Sequence, residues 1–131
     1  MLNYLQRRAF DMRLWHQGLI PALPRQQFLG QHRECAALRG GGWGKKHATV
    51  DYVFNYSPYR LYAYHQLVIG EMKARGYHPD PAWEDKNYRG KKYAPYSNLE
   101  AVPISQPIYP EHDVAYMDEC LANLKSKGIT L

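Results

Sequence analysis

One acid stands alone in a run rich in cations and amides. Between Arg25 and Arg39 the sequence reads RQQFLGQHRECAALR, and Glu34 is its single carboxylate. Gln27 and Gln31 lie seven and three residues before it, the spacing that puts all three on one side of a helix. Arg25, His32 and Arg33 surround that acid. A carboxylate placed among groups that attract a polyanion can shuttle protons or stabilise a developing cation on a bound substrate.

Other chemistries find little support. The six histidines (His16, His32, His47, His65, His78, His112) include no HExxH pair, and no Asp/Glu cluster supplies further ligands, so no metal site is expected. His65 falls on an apolar stripe and reads as a satisfied core histidine. His32, close to Glu34 in sequence, reads either as lining the same site or as packing. Cys35 and Cys120 form no CxxC pair and read as buried free thiols. There is no GxSxG elbow. Gly40-Gly41-Gly42-Trp43-Gly44-Lys45-Lys46 departs from a phosphate-binding P-loop. It reads as a basic loop whose amides and lysines can approach phosphates, or as a plain linker.

The elements that must position these groups are helices. Pro24 suits a first helical turn and Gly40 a stop, so a helix is expected to end near Arg39, with Phe28, Leu29, Cys35, Ala36 and Leu38 inward. Ser57-Pro58 starts a second, with Leu61, Tyr64, His65, Val68 and Met72 as its stripe and Gly76 as its end. A third spans roughly Glu111 to Lys127, with Val114, Met117, Leu121 and Leu124 marking its apolar face. Arg13 to Leu19 reads as extended or turn, and Ala48 to Asn55 as a helical turn or a strand. Residues 77–110 hold six of the nine prolines and read as a long loop packed by its rings. In it Lys86, Arg89, Lys91 and Lys92 alternate with Tyr88, Tyr93 and Tyr96, which suits phosphates and stacked bases as well as it suits plain solvation. The expected fold is mainly α: one compact domain of three main helices with long aromatic- and proline-rich loops.

The chain has 131 residues, 45% hydrophobic and 22% charged, which suits one ordinary domain with a core. A net charge of +5 fits an anionic partner, or a mildly basic surface that binds nothing in particular. Residues 1–11 lack the apolar core of an export signal, and no stretch approaches the ~20 apolar residues of a membrane span. A cytoplasmic protein is expected. Residues 1–11 read as an extension or as a start assigned too early, and residues 12–131 as the domain.

Met12-Arg13-Leu14-Trp15-His16, Leu23-Pro24-Arg25-Gln26-Gln27 and Gly30-Gln31-His32-Arg33-Glu34-Cys35 resemble the pyrimidine dimer DNA glycosylase (endonuclease V-like) family, its bacterial branch more than its phage one. Trp43 to His47, Tyr62 to Tyr77 and Tyr88-Arg89-Gly90-Lys91 extend the resemblance over roughly residues 12–92. It implies a mostly helical, monomeric DNA repair enzyme acting on damaged double-stranded DNA, without cofactor. Such an enzyme cuts the glycosidic bond of a pyrimidine dimer and then nicks the abasic site. By that resemblance Glu34 is the catalytic acid, the α-amine of Met12 is the nucleophile, and Arg13 and Arg33 hold phosphates. Arg39 stands near Ala37, where the phage enzymes carry another arginine. His32, Arg39, Lys45, Lys46 and Arg89 complete the expected substrate contacts.

Met12 stands where the phage enzymes have a small residue, and eleven residues precede it. Four readings follow: Met12 is the start, Met1 folds back into the site, Lys45 or Lys46 substitutes, or the glycosylase is inactive. A non-catalytic nucleic-acid-binding protein of the same fold is the alternative function.

Overall fold

Pro24 and Gly40 bracket the first helix. In the computed structural model, which describes residues 13–40 and 51–131, α1 spans Arg25–Arg39. Pro24 sits just before its first turn. At its far end the Gly40 N–H donates to the carbonyls of Ala36 and Ala37. A side chain at Gly40 would come within 3.0 Å of the Arg89 carbonyl and 3.1 Å of the Tyr93 ring, so glycine lets the later loop cross close to the helix end. Phe28, Cys35 and Leu38 are buried as expected, while Leu29 and Ala36 are half-buried.

The second helix, α2, spans Pro58–Ala74. The Ser57 hydroxyl accepts from the Tyr59 N–H, and Pro58 takes the first position, where no donor is lost. Leu61, Tyr64, His65, Val68 and Met72 are all buried, joined by Ile69. Gly76 ends the helix at φ +87°, and the Tyr77 N–H donates back to the Met72 carbonyl.

The third helix, α3, spans Val114–Ser126, starting later than expected because the Asp113 carboxylate caps it by accepting from the Tyr116 N–H. Its inward face also differs. Val114 is 79% exposed and Leu121 is exposed, while Cys120 and Leu124 are buried and Tyr116 and Met117 half-buried. Besides the apolar core that Cys120 and Leu124 join, α3 meets residues 13–14, where Tyr116 donates to the Leu14 carbonyl and the Arg13 guanidinium lies 3.8 Å from Cys120 Sγ. Both cysteines are buried free thiols.

Single helical turns at Gln17–Ala22, Asp51–Asn55 and Pro81–Glu84 connect these elements. The helices α1 and α2 pack directly on each other, and the Gln17–Ala22 turn lies against α2. Leu14, Phe28, Leu38, Leu61, Val68 and Leu124 form part of one continuous core. Each such residue contributes about 1.5–3 kcal/mol through burial. Among the described residues there is no strand, and no helix is long and apolar enough to cross a membrane. Met12, Lys45, Lys46 and the extension at residues 1–11 lie outside the described residues.

Candidate active site

Residues 13–15 form no regular structure, so their peptide groups need partners from elsewhere. Each main helix supplies one. Gln31 on α1, 2% exposed, donates its amide to the Arg13 carbonyl (3.1 Å), and its oxygen accepts from the Trp15 N–H (2.6 Å). Tyr64 on α2 donates to the Trp15 carbonyl at 2.6 Å. Tyr116 on α3 donates to the Leu14 carbonyl at 2.6 Å. The side chains of Arg13, Leu14 and Trp15 are themselves buried.

A chain of donors stands behind Tyr116. His112 Nδ1 accepts from the Gln17 N–H (3.2 Å), so the neutral ring carries its proton on Nε2 and donates to the Tyr52 hydroxyl (2.6 Å). Tyr52 is hydrogen-bonded in turn to Tyr116, whose own proton goes to Leu14. Burial first, and the neighbouring His16 second, lower the His112 pKa to about 3.

Beside this held segment lies a cavity of about 180 Å³, lined by Arg13, Gln27, Gly30, Gln31, Arg33 and Lys127, among others. Its wall is cationic and amidic, with no carboxylate among the described lining residues. The Arg13 guanidinium stacks near Trp15 (5.4 Å) and its Nη1 lies 3.8 Å from Cys120 Sγ. Lys127 reaches the same wall from the end of α3, 5.6 Å from the Trp15 ring.

Glu34 follows Gly30 by four residues and Gln31 by three, which puts it on the cavity side of α1, one turn further along. It is half-buried, and among the described residues nothing donates a hydrogen bond or ion pair to its carboxylate. Burial raises its pKa above the usual carboxylate value. A carboxyl that holds its proton longer than usual, next to a cationic surface, is equipped for proton transfer.

The remaining expected contacts stand elsewhere. His32 is two residues from Glu34, about 200° around the helix, and so faces away from it. Its Nδ1 pairs with His65 Nε2 at 2.9 Å, and its ring meets the Trp83 ring edge-on. Arg39 is 4% exposed. It donates to His65 Nδ1 (3.0 Å) and to the carbonyls of Trp83, Asp85 and Tyr88 (2.8, 2.7 and 3.0 Å), tying the long loop to α1. With Nδ1 of His65 accepting from Arg39, its Nε2 donates to His32, and both rings are neutral. Burial, helped by nearby arginine charge, lowers both pKa values. Arg89 donates to the carbonyls of Arg39 and Gly40 at 3.1 Å each and caps the C-terminus of α1. It also lines a separate apolar recess with Ala37, Trp83, Lys91, Lys92 and Tyr93.

Residues 12–85, more than half of the chain, match the family described as pyrimidine dimer DNA glycosylase. The chain belongs to that family. No individual curated protein or solved structure matches it. In this pyrimidine dimer DNA glycosylase family member, the matched region contains Glu34, Arg33, the held segment and most of the cavity lining. Lys127 and Tyr116 lie beyond it. Sequence reasoning missed the clamp by Gln31, Tyr64 and Tyr116. The one available signal was a glutamine, Gln31, on the same helix as the acid. Among the described residues no cluster of His, Cys, Asp and Glu could hold a metal ion.

Proposed function

We propose that the protein is a DNA glycosylase with AP lyase activity on pyrimidine dimers or related base lesions in double-stranded DNA. The α-amine of Met12, where that residue begins the chain, attacks C1′ of the damaged nucleotide, and the bond from C1′ to the base breaks. The base leaves with a proton, the bond from C1′ to the ring oxygen O4′ then breaks with a proton going to O4′, and the amine nitrogen, having lost its own protons, forms an imine with C1′. Loss of a C2′ proton then expels the 3′ phosphate. An α-amine has a pKa of about 7.7–8.0, so an appreciable fraction is neutral near pH 7. Glu34 supplies and takes the protons in these steps, and its raised pKa suits the first of them. Arg13 and Arg33 hold phosphates beside the lesion, which helps offset the cost of unstacking it.

The observation that carries this reading is Glu34: a half-buried carboxyl, unpaired among the described residues, one turn from a cationic cavity in a chain of this family. The segment leading back to Met12 is gripped by all three helices, which suits a chain end that must be aimed. Arg39 and Arg89 serve in this reading to hold the loop and cap α1. His32 packs behind the helix, and Lys45 and Lys46 remain candidate phosphate ligands. The protein acts as a monomer in the cytoplasm and is of the bacterial branch.

The non-catalytic DNA-binding reading is favoured by one fact. With residues 1–11 attached, Met12 has an amide in place of an amine. Borohydride trapping on a duplex with one abasic site, comparing the 131-residue chain with one starting at Met12, separates the two. Trapping by the shorter chain alone identifies the Met12 amine. Equal trapping by both moves the nucleophile to a lysine or to Met1. No trapping by either removes the lyase. Glu34→Gln in the trapping form is expected to lose at least about 100-fold in rate; full retention would take Glu34 out of the mechanism.

A further inference from the structure

The glycines divide by what requires them. Gly18 and Gly40 lie against other groups: a methyl group would stand 3.2 Å from His16 Nδ1 at the first and 3.0 Å from the Arg89 carbonyl at the second. Gly76, Gly90 and Gly128 adopt positive φ. Two described glycines have neither reason: Gly30 inside α1 and Gly70 inside α2, one turn before its end. Both have ordinary helical surroundings. Among the described residues, a methyl group at Gly70 would meet nothing within 4 Å, and one at Gly30 only Arg33 Nη2 at 3.7 Å.

A glycine inside a helix weakens it relative to alanine, so each position gives up stability that alanine would return. For Gly70, on the exposed side of α2, nothing nearby needs the space. Gly30 is different. It is part of the cavity wall, together with Gln27, Arg33 and Lys127, one turn before Glu34. There a methyl group would project into the space that cations and amides enclose. Bare backbone at that point lets a ligand come nearer the helix axis than any side chain would allow.

We propose that Gly30 is a positioning residue, the point where a sugar–phosphate strand of the duplex rests in van der Waals contact on the α1 backbone. This contact sets the depth at which the strand lies, and so the distance from its sugar to Glu34. The inference rests on the reading of the chain as a DNA glycosylase. It also explains why α1 keeps a residue that its own stability disfavours.

The test uses Gly30→Ala and Gly70→Ala in the full chain. Each is measured for thermal unfolding, and for affinity to a duplex carrying one tetrahydrofuran abasic-site analogue, which cannot form an imine. Both variants are expected to raise Tm by roughly 2–5 °C. Gly30→Ala is expected to weaken duplex binding roughly 5- to 150-fold, the range for forcing a methyl group into a packed contact. Gly70→Ala is expected to bind as the parent does. A merely structural glycine would move Tm without moving affinity. Parent-like binding by Gly30→Ala, with the parent itself binding the duplex, would overturn this inference alone. A parent chain that does not bind the duplex at low salt would overturn the functional reading and this inference with it.

Discussion

Acid should unfold this protein early, and His112 lets the size of the effect be worked out. The ring is 2% exposed, fixed as a neutral tautomer between the Gln17 N–H and the Tyr52 hydroxyl, with its pKa lowered to about 3. In the unfolded chain a histidine titrates near 6.5. Between these values the unfolded state binds a proton that the folded state refuses. The stability contributed by the neutral ring is therefore present above about pH 6.5 and is lost as pH falls through the window down to about 3. From pH 7 to pH 5 the loss for this one residue is about 2 kcal/mol. His65 and His32 are displaced in the same direction, by burial first and nearby arginine charge second, and add to the loss. Glu34 works the other way, since its raised pKa makes the folded state the better proton acceptor just above the usual carboxylate range, but it is half-exposed and its effect is screened. A fall of about 2 kcal/mol by pH 5 from His112 alone is a substantial part of the roughly 5–15 kcal/mol typical of a domain. Urea titrations at pH 7, 6 and 5 and constant ionic strength, followed by tryptophan fluorescence, measure it. His112→Gln, which keeps a donor and an acceptor but no titration, should reduce the drop between pH 7 and 5 by about 2 kcal/mol whatever its absolute stability. Equal slopes for parent and variant would refute the argument.

Two further outcomes follow from buried polar side chains. Gln31→Leu strands the Trp15 N–H and the Arg13 carbonyl and removes one of the two acceptors beside the Tyr64 hydroxyl, and is expected to cost about 2–5 kcal/mol in urea unfolding; a loss below about 1 kcal/mol would mean that the clamp is dispensable. Arg39→Met leaves His65 Nδ1 and the Tyr88 carbonyl without their partner and takes one of two donors from each of the Trp83 and Asp85 carbonyls, so residues 83–89 should become the first site of limited proteolysis, with stability down by roughly 3 kcal/mol. An unchanged cleavage pattern would show that the loop is held by its aromatic rings alone.

What the sequence made legible was punctuation and period. Ser57-Pro58 and Gly76 delimit α2 because capping is a local transaction between neighbouring residues. Its stripe is correct because Leu61, Val68 and Met72 meet the apolar core, while Tyr64 and His65 are buried by polar partners on the same side. The face of α3 differs from its pattern for the complementary reason. Val114 and Leu121 look inward by type, but the helix turns Tyr116 and Cys120 inward, toward the Leu14 carbonyl and the Arg13 guanidinium as well as the core. The acid and its polar side of α1 were visible as a spacing. The burial of Gln31 was not, because its partners lie 16 to 33 residues away and two of them are main-chain groups. Arg39 and Arg89 looked like phosphate ligands for the same reason: they answer carbonyls, and a carbonyl leaves no trace in residue type.

The grip on residues 13–15 also ties activity to the end of folding. Tyr116 reaches Leu14 across 102 positions of chain, and Tyr64 reaches Trp15 across 49. A partly folded chain, with α1 and α2 docked and α3 still loose, would already present Glu34 and Arg33 but would leave the Leu14 carbonyl unheld. Contacts so distant along the chain form late, after the cost of closing the long loop has been met. On the proposed function, competence to cut should therefore appear as a single late event, in step with the docking of α3, and a kinetic refolding experiment would see DNA affinity return before strand cleavage does.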